Sequence, residues 1–174
     1  DMVKKIFSLF EIEYDLDLAI MIEEQSIAHI TTNTLVGITD DLIKIKPDLV
    51  IVQGDTSTAF VGALAAFYQK IPVAHVEAGL RTDQIYDPFP EEINRRLISQ
   101  MSQLHFAPTL LAKNNCYGSR VLGEIHITGN TVIDALQYIS KKAKPPLIRG
   151  IRWNEDFVVL AATHRRENLG NNLE

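Results

Sequence analysis

Apolar residues in the first ten positions fall at Val3, Ile6, Phe7 and Phe10, the three-to-four spacing of one helical face, and predict a helix over Met2–Phe10. A short extended stretch follows near residues 14–18. Residues 26–45 repeat the helical spacing at Ile27, Ile30, Leu35, Ile38, Leu42 and Ile45, and Pro47 ends the run. There the period changes. Leu49, Val50, Ile51 and Val52 form an unbroken apolar run inside 48–53, bounded by Pro47 and Gly54, which predicts a strand buried on both faces. Helices over 58–69, 91–103, 109–117 and 130–142 then alternate with strands over 72–76, 104–106 and 124–128. A Lys/Pro-rich stretch centred on Pro145 and Pro146 separates this series from a further strand over 157–162. Strands and helices alternating at this spacing mean parallel strands joined by crossover helices, an α/β fold with a Rossmann-like, doubly wound parallel sheet.

Composition narrows the class. With 46% hydrophobic and 22% charged residues over 174 positions, the chain can bury one core and part of a second. No apolar run approaches the roughly 18 residues of a membrane span. The formal charge is −5 and no stretch of five or more Lys/Arg occurs, which argues against a nucleic-acid partner. Cys116 is the single cysteine, so no internal disulfide forms, in keeping with a reducing compartment. The chain opens on Asp1 without a charged-then-apolar leader and stops just after a strand and its loop, and reads as an excerpt of a longer protein.

In open parallel sheets ligands lie outside the carboxyl ends of the strands, so the residues just after each apolar run carry the chemistry. After 49–52 come Gly54, Asp55 and Thr56, where Gly54 permits a close turn and either Asp55 or Thr56 suits a helix N-cap. After 72–76 comes Glu77, a carboxylate at the mouth of the sheet that no capping role explains. His75, inside the apolar strand that precedes it, reads as a packed, hydrogen-bonded structural histidine. The segment from Asp87 to Arg96 carries Pro88 and Pro90, which stiffen a loop that aims Glu91. Glu91 and Glu92 suit the positive end of the following helix, and the four-residue spacing allows Glu91–Arg95 and Glu92–Arg96 pairs. Such pairs also occur on plain surfaces, where they contribute little. After 157–162 come His164, Arg165 and Arg166, an anion-binding cluster suited to phosphate, or a solvated charge run. No metal-ligand spacing, phosphate-binding Walker loop or GxGxxG dinucleotide fingerprint is present, so neither metal nor cofactor is expected.

Taken in order, six stretches closely resemble the non-hydrolysing UDP-N-acetylglucosamine 2-epimerases of bacterial type. They are Gly54-Asp55-Thr56, His75-Val76-Glu77-Ala78-Gly79-Leu80-Arg81-Thr82, Pro88-Phe89-Pro90-Glu91-Glu92-Ile93-Asn94-Arg95, Leu104-His105-Phe106-Ala107-Pro108, Thr128-Gly129-Asn130-Thr131-Val132-Ile133-Asp134-Ala135 and Thr163-His164-Arg165-Arg166-Glu167-Asn168. The resemblance implies a two-domain fold of the glycosyltransferase-B type. Residues 1–128 would be most of the N-terminal Rossmann-like domain, 129–152 a connecting helix and linker, and 153–174 the start of the second domain. The family's first strand, its Gly-Thr-Arg-Pro-Glu loop and nearly all of the second domain would lie outside this chain, leaving it half a cleft and, alone, inactive. The resemblance further implies an isomerase that interconverts UDP-GlcNAc and UDP-ManNAc, eliminating UDP to 2-acetamidoglucal and adding it back. It would be a cytoplasmic homodimer at full length, with a UDP-sugar as its partner and neither membrane nor nucleic acid. Carried onto matching positions, Asp55, Glu77 and Glu91 resemble the proton-transferring carboxylates, and His164 a residue that contacts the diphosphate or shuttles a proton. Arg95, Arg81, Arg165 and Arg166 resemble substrate-binding arginines.

Carboxylates converging on one cleft can hold different protonation states near neutrality, as removing and returning a weakly acidic C2 proton requires. Which one is acid and which base stays open at this level. Three other readings stand beside the first, one of them a true glycosyltransferase of the same fold, against which the trio of Asp55, Glu77 and Glu91 argues. A hydrolysing 2-epimerase shares the fold, but its stretch after the second strand resembles His-Gly-Gly-Glu rather than Val76-Glu77-Ala78-Gly79. A truncated, non-catalytic paralogue would keep the same residues.

Overall fold

The computed structural model describes residues 2–22, 25–144 and 146–160. Helix α1 (Met2–Phe10) comes first, then α2 (Ile27–Ile45), capped by the Ser26 hydroxyl, which accepts from His29 N. Four parallel strands follow in order β1-β2-β3-β4: Val50–Gln53, Val73–Val76, Leu104–Ala107 and Glu124–Ile127. Their crossovers are α3 (Ser57–Tyr68), α4 (Glu91–Met101) and α5 (Leu110–Gly118), and α6 (Thr131–Lys142) comes after β4. The expected elements through residue 142 thus occur within about two residues of their sequence-derived ends, because period and cap chemistry are local signals. Residues 14–18 carry no sheet pairing.

The chain divides into two compact units, Asp1–Val132 and Ile133–Glu174. In the first, α3 packs on β1 and β2, with α2 and α4 against it. The core is Leu42, Val52, Ala63, Ala65, Ala66, Val73 and Ile98. The alanines of α3 allow its close approach to the sheet. In the second unit the Trp153 indole donates to the Pro146 carbonyl at 2.8 Å, and Arg152 pairs with Glu155 and Asp156.

Two expectations are corrected here. β1 is not buried on both faces: Val52 points into the core, but Ile51 is 63% exposed. Among the described residues β1 is an edge strand, and α3 lies on its Val52 side. The strand expected over 157–162 is not formed at residues 157–160, the part that is described. Its apolar run has no neighbouring strand to bond to among the described residues, and Phe157 and Leu160 are exposed. No helix of the described residues is long and apolar enough to cross a membrane.

Candidate active site at the carboxyl edge of the sheet

β1 and β2 run side by side with Gln53 opposite Val76, and Gly54 N donates to Val76 O at 3.0 Å. The chain therefore leaves both strands at one edge, bringing Asp55 and Glu77 together. Gly54 takes φ +71°, and Glu77 itself takes φ +68°. That is a costly conformation for a residue with a Cβ, of the kind that clusters at functional sites. It is held from both sides: β2 ends immediately before it, and Ala78, fully buried, donates from its backbone N to Phe106 O at 3.1 Å. The Glu77 carboxyl lies over Gly54, where an added Cβ would stand 3.5 Å from Oε2. Its Oε1 accepts from Asn130 Nδ2 at 3.4 Å, while Asn130 Oδ1 accepts from Val132 N at 3.0 Å. The second bond fixes which end of the amide faces Glu77.

Asp55 is released from capping because Thr56 takes that task, its hydroxyl accepting from Ala59 N at 3.2 Å. The freed carboxylate binds across to α4, where Arg95 Nη2 donates to Oδ2, and Asn94 Nδ2 holds the Asp55 carbonyl at 2.9 Å. The Arg95 and Asp55 side chains are 11% and 25% exposed, so the pair is largely sheltered yet reachable. Arg95 Nε is buried and finds no acceptor among the described residues. Glu91, half-buried, opens α4 three and four positions before Asn94 and Arg95, which puts it on the helix face turned to Asp55.

The expected Glu91–Arg95 pair is not among the ion pairs of the described residues; Arg95 pairs with Asp55 and Glu92 instead. Glu92, read from spacing as half of a surface pair with Arg96, does bond Arg96 but is fully buried. Burial pushes its carboxyl up; the bonds from Arg96 and Thr82 and the charges of Arg96 and Arg95 outweigh that and leave it below the ordinary value. Helical spacing alone does not tell which of Glu91 and Glu92 is buried. Asn94 and Asn130 stood inside the motifs but had been given no role; their bonds to Asp55 and Glu77 supply one.

Arg81 lies elsewhere. Its guanidinium donates to Leu80 O at 2.7 Å and to the hydroxyls of Ser99 and Ser119 at 3.4 and 3.2 Å. His75 is buried as expected, with Nε2 2.8 Å from Gly54 O, and burial, reinforced by nearby His105 and Arg81, lowers its pKa to about 4. His164, Arg165 and Arg166 lie outside the described residues. The described residues hold no group of three or more His, Cys, Asp or Glu suited to a metal ion.

The arrangement offers two carboxylates at one strand edge, Asp55 tied to an arginine and Glu77 to an amide, with Glu91 at the start of α4. Such a set can remove and return protons at a carbon held over the sheet edge. The family profile for UDP-N-acetylglucosamine 2-epimerase matches residues 1–174. The chain is 49% identical over 183 residues to the UDP-N-acetylglucosamine 2-epimerase of Neisseria meningitidis, covering 100% of this chain and 49% of that protein. To the Bacillus subtilis enzyme of the same name it is 48% identical over 176 residues, covering 99% and 46%. A crystal structure of the Neisseria meningitidis UDP-GlcNAc 2-epimerase bound to UDP-GlcNAc superimposes with a TM-score of 0.78 at 54% identity, over 81% of this chain and 38% of that one. The chain spans about half the length of the curated relatives it matches. With this sheet, these motifs and matches over its whole length, the chain belongs to the UDP-N-acetylglucosamine 2-epimerase family.

Proposed function

We propose that a protein of the relatives' full length containing this chain interconverts UDP-GlcNAc and UDP-ManNAc without net hydrolysis. A carboxylate takes the C2 proton while the bond from C1 to the UDP oxygen breaks, leaving 2-acetamidoglucal and UDP. UDP then re-adds at C1 as a proton reaches C2 from the other face. Asp55, Glu77 and Glu91 supply the proton-transfer groups in this reading. Arg95 supports them, and His164, Arg165 and Arg166 bind the departing diphosphate, whose growing charge cations stabilise. Arg81, engaged by Ser99 and Ser119, acts indirectly by anchoring the turn that follows Glu77. One observation carries the proposal: the Glu77 carboxyl lies over Gly54 beside an Asp55 that already holds Arg95, so acid–base groups and a cation share one strand edge.

The test is to incubate the full-length protein with UDP-GlcNAc in deuterated water and follow C2 by NMR. Deuterium at C2 in both epimers, with UDP not accumulating, supports the proposal. Steady release of UDP and free N-acetylmannosamine supports the hydrolysing alternative, and no exchange removes the epimerase reading. Glu77→Gln is expected to lower the exchange rate about a thousandfold. The 174-residue chain alone, spanning half the relatives' length, is expected to show negligible exchange; a rate near that of the full-length protein would overturn this.

A further inference from the structure

Glu92 is a charge buried without an evident structural need. An acidic residue favours a helix N-terminus, but Glu91 beside it already serves that purpose while remaining half-exposed. Burying a second carboxylate there is costly unless every acceptor is used. Here they are used in a specific way. Oε1 accepts from Arg96 Nε at 2.7 Å, and Oε2 accepts from Thr82 N at 3.0 Å and lies 3.4 Å from Arg95 Nη1. Arg96 in turn reaches Asp83 Oδ1 at 3.0 Å. Arg95 thus has one arm on Glu92 and the other on Asp55. A planar fork gripped at both arms has one orientation, which a lysine in its place could not reproduce.

We infer that Glu92 is a positioning residue for the proposed reaction: it sets the plane of the Arg95 guanidinium that holds Asp55 and ties that pair to the loop after β2. The inference rests on the epimerase reading for its catalytic consequence, though its geometric content is independent of it. Asp55 is then held through a buried carboxylate that need not touch substrate. Glu92 also shares the guanidinium charge, so Asp55 is not its sole counter-ion.

The test uses Glu92→Gln, Arg95→Ala and the double variant in the full-length protein. Glu92→Gln keeps the volume and an acceptor for Thr82 N but loses the charge. Its kcat is expected to fall about a hundredfold, the cost of a small misplacement of a working group, with KM changed less than about threefold. In the Arg95→Ala background the same change is expected to have little further effect, because its action runs through Arg95. An equal loss in both backgrounds, or unchanged kcat, overturns the inference. If Glu92→Gln does not fold, Arg95→Lys leaves the other bonds of Glu92 in place and is expected to show the same kcat loss; full activity there overturns it. A second readout is the nitrogen–proton spectrum of the Arg95 guanidinium, assigned by its loss in Arg95→Lys. Restricted rotation, with separate Nη–H signals, is expected unless the ion pair with Glu92 is removed, and averaged signals in the unmutated protein overturn the inference. Should the unmutated protein show no C2 exchange, the epimerase reading falls while this spectrum still decides the geometric claim.

Discussion

Two polar clusters lie on either side of the turn that leaves β2, and they differ in what closes them. At the strand edge, Asp55 and Glu77 are half-buried and bonded to side chains of α4 and to Asn130. In the other cluster, His75 and His105 are adjacent partners on β2 and β3, both fully buried. Each directs Nε2 at a backbone carbonyl, His75 at Gly54 and His105 at Leu122, with contacts of 2.8 and 2.9 Å. Arg81 completes that cluster with Ser99 and Ser119. The histidines staple loops to strands through Nε2, while the buried Nδ1 of His75 has no hydrogen-bond partner among the described residues. The carboxylates are held by side chains and remain partly open. Proximity of titratable groups is therefore a poor guide to a site; the kind of partner each group has and its access to solvent separate the two.

The comparison is broken most severely at Gly79, in the turn between Glu77 and Arg81. Its φ is +87°, and an added Cβ would stand 2.0 Å from Ala112 O. Gly79→Ala combines a left-handed backbone with a backbone clash, so a loss of roughly 3–5 kcal/mol is expected in urea unfolding. A loss under about 1 kcal/mol, the scale of ordinary surface changes, would mean that the turn adapts and the two clusters are not rigidly linked.

A milder break uses pH on the histidine cluster. An unfolded histidine takes up a proton near 6.5, whereas folded His75 does so only near 4. As pH falls, the unfolded state binds the proton first, so stability drops through that window and is untouched above it. The full contribution is roughly 3 kcal/mol by the bottom of the window, with His105 shifted in the same direction by burial. His75→Gln is expected to flatten the slope of stability against pH between about 5 and 6.5, above the ordinary carboxylate range. An unchanged slope would show that His75 is not the buried neutral staple described.

The smallest effect sharpens the carboxylate cluster. Thr56→Ala removes the hydroxyl that caps α3 and is expected to cost about 1 kcal/mol in thermal unfolding. No loss would imply that Asp55 takes over the cap, against its observed engagement with Arg95.

Much of this architecture was readable along the chain. The switch from helical spacing through Ile45 to the unbroken run ending at Val52 located β1, and the same reading placed Asp55 and Glu77 just beyond their strands. Those signals are local: side-chain period, caps and proline breaks act within a few residues. The motif order from Gly54 to Asn168 likewise determined the family, since the residue types stand in the chain whatever they touch.

Only the tertiary structure decided the rest. Spacing permitted Glu91–Arg95 and Glu92–Arg96 equally, and pairs of that kind differ by only a few tenths of a kcal/mol. Packing of α4 against α3 and β2 decided it, with Arg95 bonded to Asp55 and Glu92 buried. Arg81, inside the same motif as Glu77, was carried to Ser99 and Ser119 by a turn at which the Asn115 side chain holds Gly79 O at 2.9 Å. Ile51 stayed exposed because the described helix packed on β1 covers its other face. Each outcome hangs on contacts between residues far apart in sequence, whose energies are comparable to those of the local alternatives, and no period or motif records which contact wins.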